Sequence, residues 1–392
     1  MEFGTITDWD CRWDLDVIAY IEQMSAALSG RIDGLMSSSD YPGATVAGAI
    51  ATRIGLPGTD PATLVACAHK FAARQALQSV VPEATPDFAL LDHGTALDGS
   101  CAIGFPCFVK PVKGAFSVLA RRMQSAEQLL RFVNSEAARE YCGSYLVIFG
   151  TLMRQFTDLP HAGRCFLAES VLAGAQVTVE GWCQGDEVQI LGISDSVVDP
   201  HNGSFLRFVF PSMLAARVQA RMGDIAARAV RGLGLRDTFF NIEMMYDSTQ
   251  DRIGLIEVNP RICGEFADLY QKVLGVNSYE IALELATGGT PSLPRAAGAY
   301  AVAASFPLRV FEPVRVERVP SPEEMAAAEA LFPGTMIWNE CETGQELAEF
   351  DKTEDGASCR YAVINLGAPD RDSLERRFEI VREAVPFRFT PL

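Results

Sequence analysis

Two apolar runs, Phe239–Tyr246 and Ile253–Asn259, are separated only by a polar stretch from Asp247 to Arg252. Runs of this length with a turn between them predict two strands joined as a hairpin. The second run ends Leu255-Ile256-Glu257-Val258-Asn259-Pro260-Arg261. Side chains alternate along a strand, so Glu257 and Asn259 share one face, about 7 Å apart, while Ile256 and Val258 share the other. The first run carries Glu243 on the face of Asn241 and Met245, roughly opposite Glu257 across the hairpin. Three hard oxygen ligands on one sheet face suit magnesium, which takes carboxylates together with nucleotide phosphates. Arg261, at the strand's end, is placed to grip a phosphate or acyl phosphate with a planar fork. A polar cluster that ends an apolar strand and enters Cys263-Gly264-Glu265 reads as a site rather than a solvated face.

Upstream, Cys107-Phe108-Val109 reads as a short strand that delivers Lys110 into Pro111-Val112-Lys113-Gly114-Ala115-Phe116-Ser117. Such a loop offers backbone N–H groups, a hydroxyl and lysine charges to phosphates. It is not a Walker loop, because G-x-x-x-x-G-K-[ST] is absent. Asp60-Pro61 starts a helix with a cap and a first-turn proline, and the helix is expected to run to about Val80. Lys70 and Arg74 fall on one face of it, which by spacing alone is a solvated face. Arg31–Ser37 reads as a strand followed by a helix from Ala44 to Ile54, a βα unit of an open sheet. Pro82 and Pro86 mark a hinge. Further helices are expected at Asp16–Leu28, Ser125–Arg139, Met213–Leu233 and Asp372–Ala384. Further strands are expected at Phe166–Ser170, Gln176–Cys183, Tyr300–Phe311, Arg315–Val319 and Arg360–Leu366.

Composition narrows the classes of function. The chain has 392 residues, enough for two or three domains, and is 48% apolar with 23 Phe, which excludes a disordered chain. A net charge of −17 without any basic run gives no footprint for nucleic acid. Ten cysteines stand singly without a C-x-x-C pair, and four histidines show no ligand spacing. That argues against a disulfide framework or a zinc site and makes the cytoplasm the expected compartment. Neither a signal peptide nor the ~18-residue apolar run of a membrane span is expected.

Taken in order, these segments resemble the ATP-grasp superfamily, and within it the carboxylate–amine ligases, over roughly residues 30–290. The most specific piece is Glu257-Val258-Asn259-Pro260-Arg261. A helix lysine, a Lys-Pro strand with its loop, and Glu169-Ser170-Val171-Leu172-Ala173-Gly174 precede it. The resemblance implies mixed α/β and α+β architecture: an ATP-grasp fold with a reduced N-terminal α/β (pre-ATP-grasp) domain and a small C-terminal α+β domain. The expected boundaries are 1–90, 91–295 (two subdomains, about 91–168 and 169–295) and 296–392.

It further implies that ATP and Mg2+ are the cofactors. Lys70 and Lys110 would contact the nucleotide, and Lys113 to Ser117 would close over its phosphates. Glu169 would take the adenine amino group, with Ser170 and Leu172 lining the adenine slot. Gln176 stands where the family usually has a ribose-binding Glu, and an amide still donates and accepts hydrogen bonds. Glu243, Glu257 and Asn259 would hold magnesium, and Arg261 would stabilise the transferring phosphoryl group. Arg207, in the unusual segment Asp199–Arg207, is expected to fold over the site and meet a substrate carboxylate, and Glu265 to hold an ammonium. The phosphate loop is poorer in glycine than the usual pattern, and little chain precedes Arg31.

The implied reaction activates a small carboxylate as an acyl phosphate and joins it to an amine, with ADP and phosphate released. The partners are those two small molecules, with neither nucleic acid nor membrane, and a homodimer is left open. Transfer to a thiol or hydroxyl, and a non-catalytic nucleotide-binding subunit, stand as alternatives; bicarbonate chemistry ranks below them.

Overall fold

The computed structural model describes residues 15–91, 101–115, 117–159, 165–293, 297–350 and 355–392. The first lobe is helical: α1 (Val17–Leu28), α2 (Thr45–Ile54), α3 (Pro61–Ala68) and α4 (Lys70–Val80). Asp16 and Asp60 cap α1 and α3 by accepting backbone N–H groups. Val17, Ile21, Val46, Ile50 and Val65 form its core, together with a later helix.

Two expectations fail here. Arg31–Ser37 forms no strand, so the described part of this lobe contributes helices and connecting chain but no sheet. The helix from Pro61 breaks at His69, whose backbone turns to φ −82°, ψ 94°. The break lets α4 start afresh with the Lys70 N–H donating to the Val112 carbonyl at 2.7 Å. Lys70 and Arg74 thereby turn inward instead of facing solvent.

The next layer is a four-stranded antiparallel sheet of β1 (Phe88–Leu91), β2 (Cys107–Pro111), β3 (Arg121–Met123) and β4 (Phe166–Ser170), in the order β1-β4-β2-β3. It is covered by α5 (Ala126–Val133), α6 (Glu136–Gly143) and α7 (Tyr145–Phe156). The single helix expected over Ser125–Arg139 is two, because Ser135 caps a new start. α7 also packs into the first lobe through Ile148, Phe149 and Leu152.

The remaining chain builds around one eight-stranded sheet. Its strands are β5 (Ala175–Gln184), β6 (Glu187–Val198), β7 (Phe205–Phe210), β8 (Thr238–Asp247), β9 (Arg252–Asn259), β10 (Val302–Val310), β12 (Met336–Asn339) and β14 (Cys359–Ala368). Their order is β12-β14-β10-β7-β6-β5-β8-β9. β11 (Val314–Arg318), β13 (Glu346–Leu347) and β15 (Arg388–Pro391) make a separate three-stranded sheet. Strands β6 and β7 were absent from the sequence reading, although Val188, Ile190, Ile193 and Val197 supply a β-branched run.

One face of the large sheet is dry. Val177, Val179, Ile193, Ile242 and Met244 pack on α8 (Ala216–Leu233) through Val218, Met222 and Ile225. α11 (Pro322–Glu329) and α12 (Arg371–Ala384) cover the same face further along. The opposite face carries α9 (Gly264–Leu274) and α10 (Ser278–Ala286) and a band of polar side chains. Strand alternation alone separates the two faces.

Candidate active site

The polar face is built row by row. Glu243 on β8 pairs directly with Glu257 on β9, and with Thr178 on β5. The next row is Glu180, Asn241 and Asn259. The Asn259 side-chain amide donates to Glu257 at 3.2 Å, and Gln176 donates to Glu243 at 2.9 Å. The Asn241 amide donates to the buried Glu180 carboxylate at 2.9 Å.

Cations from other elements meet this face. The Lys70 ammonium, at the start of α4, pairs with Glu257. One turn later Arg74 pairs with Glu169 and also donates to the Ile256 carbonyl at 2.6 Å. Lys110 on β2 completes the triad with Glu169 at 2.6 Å. Phe108 is registered against Glu169, so Lys110 is its diagonal neighbour on one face, with α4 lying over both. Lys113 pairs with Asp40, a contact between the first lobe and the loop after β2.

Charge states follow from these contacts. Burial alone favours protonation of Glu257, but Lys70 and Lys110 outweigh it and hold the carboxyl below its usual range. Glu243 is pushed up to about 7, first by burial and then by the facing Glu257 charge. Burial also pushes Glu180 up to about 7, with the Asn241 hydrogen bond only partly opposing it. Glu169 is held below its usual range because Lys110 and Arg74 overcome its burial. Burial opposes charge on Arg261, and Cys263, Asp40, Glu180 and Glu257 together outweigh that and keep the guanidinium charged.

The sequence expectations map onto this geometry unevenly. Lys70, Lys110, Glu169, Gln176, Glu243, Glu257, Asn259 and Arg261 come together. Ser170 is the last residue of β4, its hydroxyl accepting the Asp87 N–H at 3.1 Å. Leu172 lies against Gly254, where a Cβ would collide with it. Gly174, at φ 110°, turns so close to the Tyr246 carbonyl that only glycine fits. Ser117 sits in the left-handed region at φ 58°, and Phe116 beside it lies outside the described residues. Lys113 is directed to Asp40.

Arg207 does not join the site. It alternates with Phe208 on β7, so it projects to the dry face and pairs with Glu375 on α12 at 3.4 Å. Asp199–Arg207 is not a covering segment. Its turn closes on itself, with the Asp199 N–H donating to Ser204 at 2.8 Å, and Phe205–Arg207 enter the sheet. Glu265 is on the polar face, where Ser305 donates to it at 2.7 Å and Arg360 pairs with it at 3.3 Å.

Asp40, Glu180, Ser305 and Arg360 escaped the sequence reading. Each acquires its partner from far along the chain, so no local spacing marks it. Among the described residues no group of three or more His, Cys, Asp or Glu converges as a metal site. The acid–acid–amide set still fits magnesium, which keeps several positions for phosphates and water. Lys70 places one positive charge on Glu257.

Comparison with known proteins agrees with this geometry. Residues 103–268 match the ATP-grasp domain family. The chain is 17% identical to the L-amino acid ligase of Bacillus licheniformis, with a TM-score of 0.75 over 95% of this chain and 85% of that one. That likeness establishes a shared fold. An uncharacterised protein of Sinorhizobium fredii is 29% identical over 292 residues, 71% of this chain and 56% of its own length. Carnosine synthase 1 of Gallus gallus is 27% identical over 257 residues, 62% of this chain and 26% of its own. The matched region thus spans about half or less of these two relatives. Residues 103–268 thus carry an ATP-grasp domain. No described helix is long and apolar enough to cross a membrane.

Proposed function

We propose that the protein is an ATP- and Mg2+-dependent ligase that activates a small carboxylate as an acyl phosphate and joins it to an amine, releasing ADP and phosphate. The observation that carries this reading is the direct pairing of Glu243 with Glu257, with Asn259 on the same face and Lys70, Lys110 and Arg261 around them. A purely structural sheet face has no need of two half-buried acids directly facing each other, which repel. The names of the relatives, an L-amino acid ligase and a carnosine synthase, support amide formation and leave the substrates open.

In this reading residues 91–295 form the nucleotide-handling unit. Glu243, Glu257 and Asn259 hold magnesium, which neutralises phosphate oxygens during transfer. Lys70 and Lys110 supply point charges to the phosphates, and the Lys113–Ser117 loop covers them. Glu169, fixed by Arg74 and Lys110, retains lone pairs for the adenine amino group. Ser170 and Leu172 line the adenine slot, and Gln176 serves the ribose. Arg261 grips the transferring phosphoryl group, and Glu265 offers its carboxylate to the ammonium of the amine substrate. Catalysis is then mostly positioning and charge stabilisation.

The test is magnesium-dependent ADP and phosphate release, screened against pooled carboxylates with and without amines, with Glu257→Gln as control. Release that needs both substrates and vanishes in the control is expected. ATP hydrolysis indifferent to acid and amine, or equal in the control, rejects the reading.

A further inference from the structure

Cys101 and Cys107 bracket the entry to β2, and their sulfur atoms lie 3.9 Å apart, in direct contact. Local chain geometry brings them together. A turn closes over residues 101–104, with the Gly104 N–H donating to the Cys101 carbonyl at 2.9 Å. Ile103 and Phe105 around it pack on the core between the four-stranded sheet and α5–α7, which anchors the turn. Cys107 then enters β2 between β3 and β4, in register with Met123 and Ser170. Both thiols are free.

The two sulfurs differ in access. Cys101 is half-buried, whereas Cys107 is fully buried and held in the strand ladder on both sides. A small oxidant therefore meets Cys101 first. Burial, and after it the neighbouring Cys101, pushes the Cys107 thiol up to about 12, which keeps it protonated and inert toward reagents from solvent. Strand alternation puts Cys107 and Val109 on the core face of β2, and Lys110 on the face that meets Glu169. A bond between the two sulfurs thus forms on the side of β2 away from Lys110.

We propose that Cys101 and Cys107 are a peroxide-reactive thiol pair, in which Cys101 takes the oxidation and Cys107 resolves it to a disulfide. In the first step the Cys101 sulfur attacks hydrogen peroxide. An S–O bond forms, the O–O bond breaks, and water leaves, giving a sulfenic acid. In the second step the Cys107 sulfur attacks the Cys101 sulfur. The S–S bond forms, the S–O bond breaks, and the hydroxyl leaves with the Cys107 proton as a second water. The two thiols together lose two electrons and two protons to the peroxide. Contact between the sulfurs offsets the small thiolate fraction of Cys107. A small-molecule thiol reverses the bond by exchange. The pair keeps the accessible sulfur from going on to sulfinic acid, which thiols do not reverse.

The experiment treats the protein with a small excess of hydrogen peroxide, alkylates the remaining thiols in denaturant and maps tryptic peptides by mass. Residues 75–113 contain both cysteines and no other, and Lys110 is shielded from cleavage by Pro111. This peptide is expected to lose two hydrogens and take no alkyl group, so that alkylatable thiols fall by two from ten. Dithiothreitol should restore both. In Cys107→Ala the Cys101 sulfur should instead gain two oxygens. In Cys101→Ser, a change at a half-buried position, Cys107 should stay reduced. Circular dichroism matching the wild type shows that each variant folds, and Cys101→Ser alone suffices if Cys107→Ala does not. MgADP affinity of the oxidised protein should stay within about two-fold of the reduced form. Sulfinic acid at Cys101 of the wild type with Cys107 still alkylated overturns the proposal. So does a bond from Cys101 to Cys142, which packs on the same core and would join two tryptic peptides. Oxidation of other cysteines while residues 75–113 stay reduced also overturns it, as does a disulfide that weakens MgADP binding by about ten-fold or more.

Discussion

Glu243 and Glu257 face each other on neighbouring strands, and a lysine from a third element, Lys70, pairs with only one of them. The asymmetry separates their protonation: Glu257 stays ionised while Glu243 is pushed up to about 7 by burial and by its neighbour's charge. In the proposed reading, a divalent cation held by these carboxylates would relieve the repulsion. Glu257→Gln is therefore expected to reduce Mg-dependent ADP release at least about a hundred-fold. Steady-state kinetics across a magnesium titration checks this, and a variant that recovers full rate at high magnesium would show that Glu257 is no essential ligand.

Arg261→Ala should lower kcat by about 10²–10³-fold, the usual loss when a donor to developing charge is removed. Because the guanidinium has no protein partner among the described residues, the melting temperature should hardly move. Parallel kinetics and thermal denaturation decide it. A large fall in melting temperature with normal kcat would reassign Arg261 to the scaffold.

Arg207→Ala should leave kcat/KM within about two-fold of wild type, since the side chain sits on the dry face against Glu375 and is partly exposed. A loss of ten-fold or more for any acid would restore it to the substrate site.

Arg74→Met removes one of two cations from the buried Glu169 and the donor to the Ile256 carbonyl. Breaking such a buried pair costs about 3 kcal/mol. The shift in denaturant midpoint at constant slope measures it. An unchanged midpoint would mean that Lys110 alone satisfies Glu169.

Glu180 gives a signed pH dependence. Burial pushes its folded pKa up to about 7, above the ordinary glutamate value of 4.5, so the folded state holds a proton that the unfolded state releases. The contribution is fully present below pH 4.5 and is lost as pH rises through 7, a change of about 3 kcal/mol. Glu180→Gln keeps an acceptor for Asn241 and does not titrate. Its stability relative to wild type should therefore rise between pH 5 and pH 8, as followed by urea midpoints. A constant difference across that range rejects the assignment.

The hairpin, its acids and its arginine were legible in the sequence because they depend on period-two alternation and on one short turn. Residues two apart on a strand must share a face, and Glu243 and Glu257 lie close enough along the chain for their register to follow. The strand that carries Lys110 and the helix that ends at Ile54 were equally local. Tertiary structure decided the rest. Lys70 and Arg74 at helical spacing look like a solvated face until the break at His69 tips α4 onto the sheet. Arg207 looked like a site residue until the register of β7 fixed its parity and sent it to the far face. Asp40, Glu180 and Arg360 gained their partners only when distant segments packed. Side-chain alternation and hydrogen-bonded caps are set by neighbours in sequence. Which face is buried, and which charges meet there, depends on long-range packing that desolvates them together.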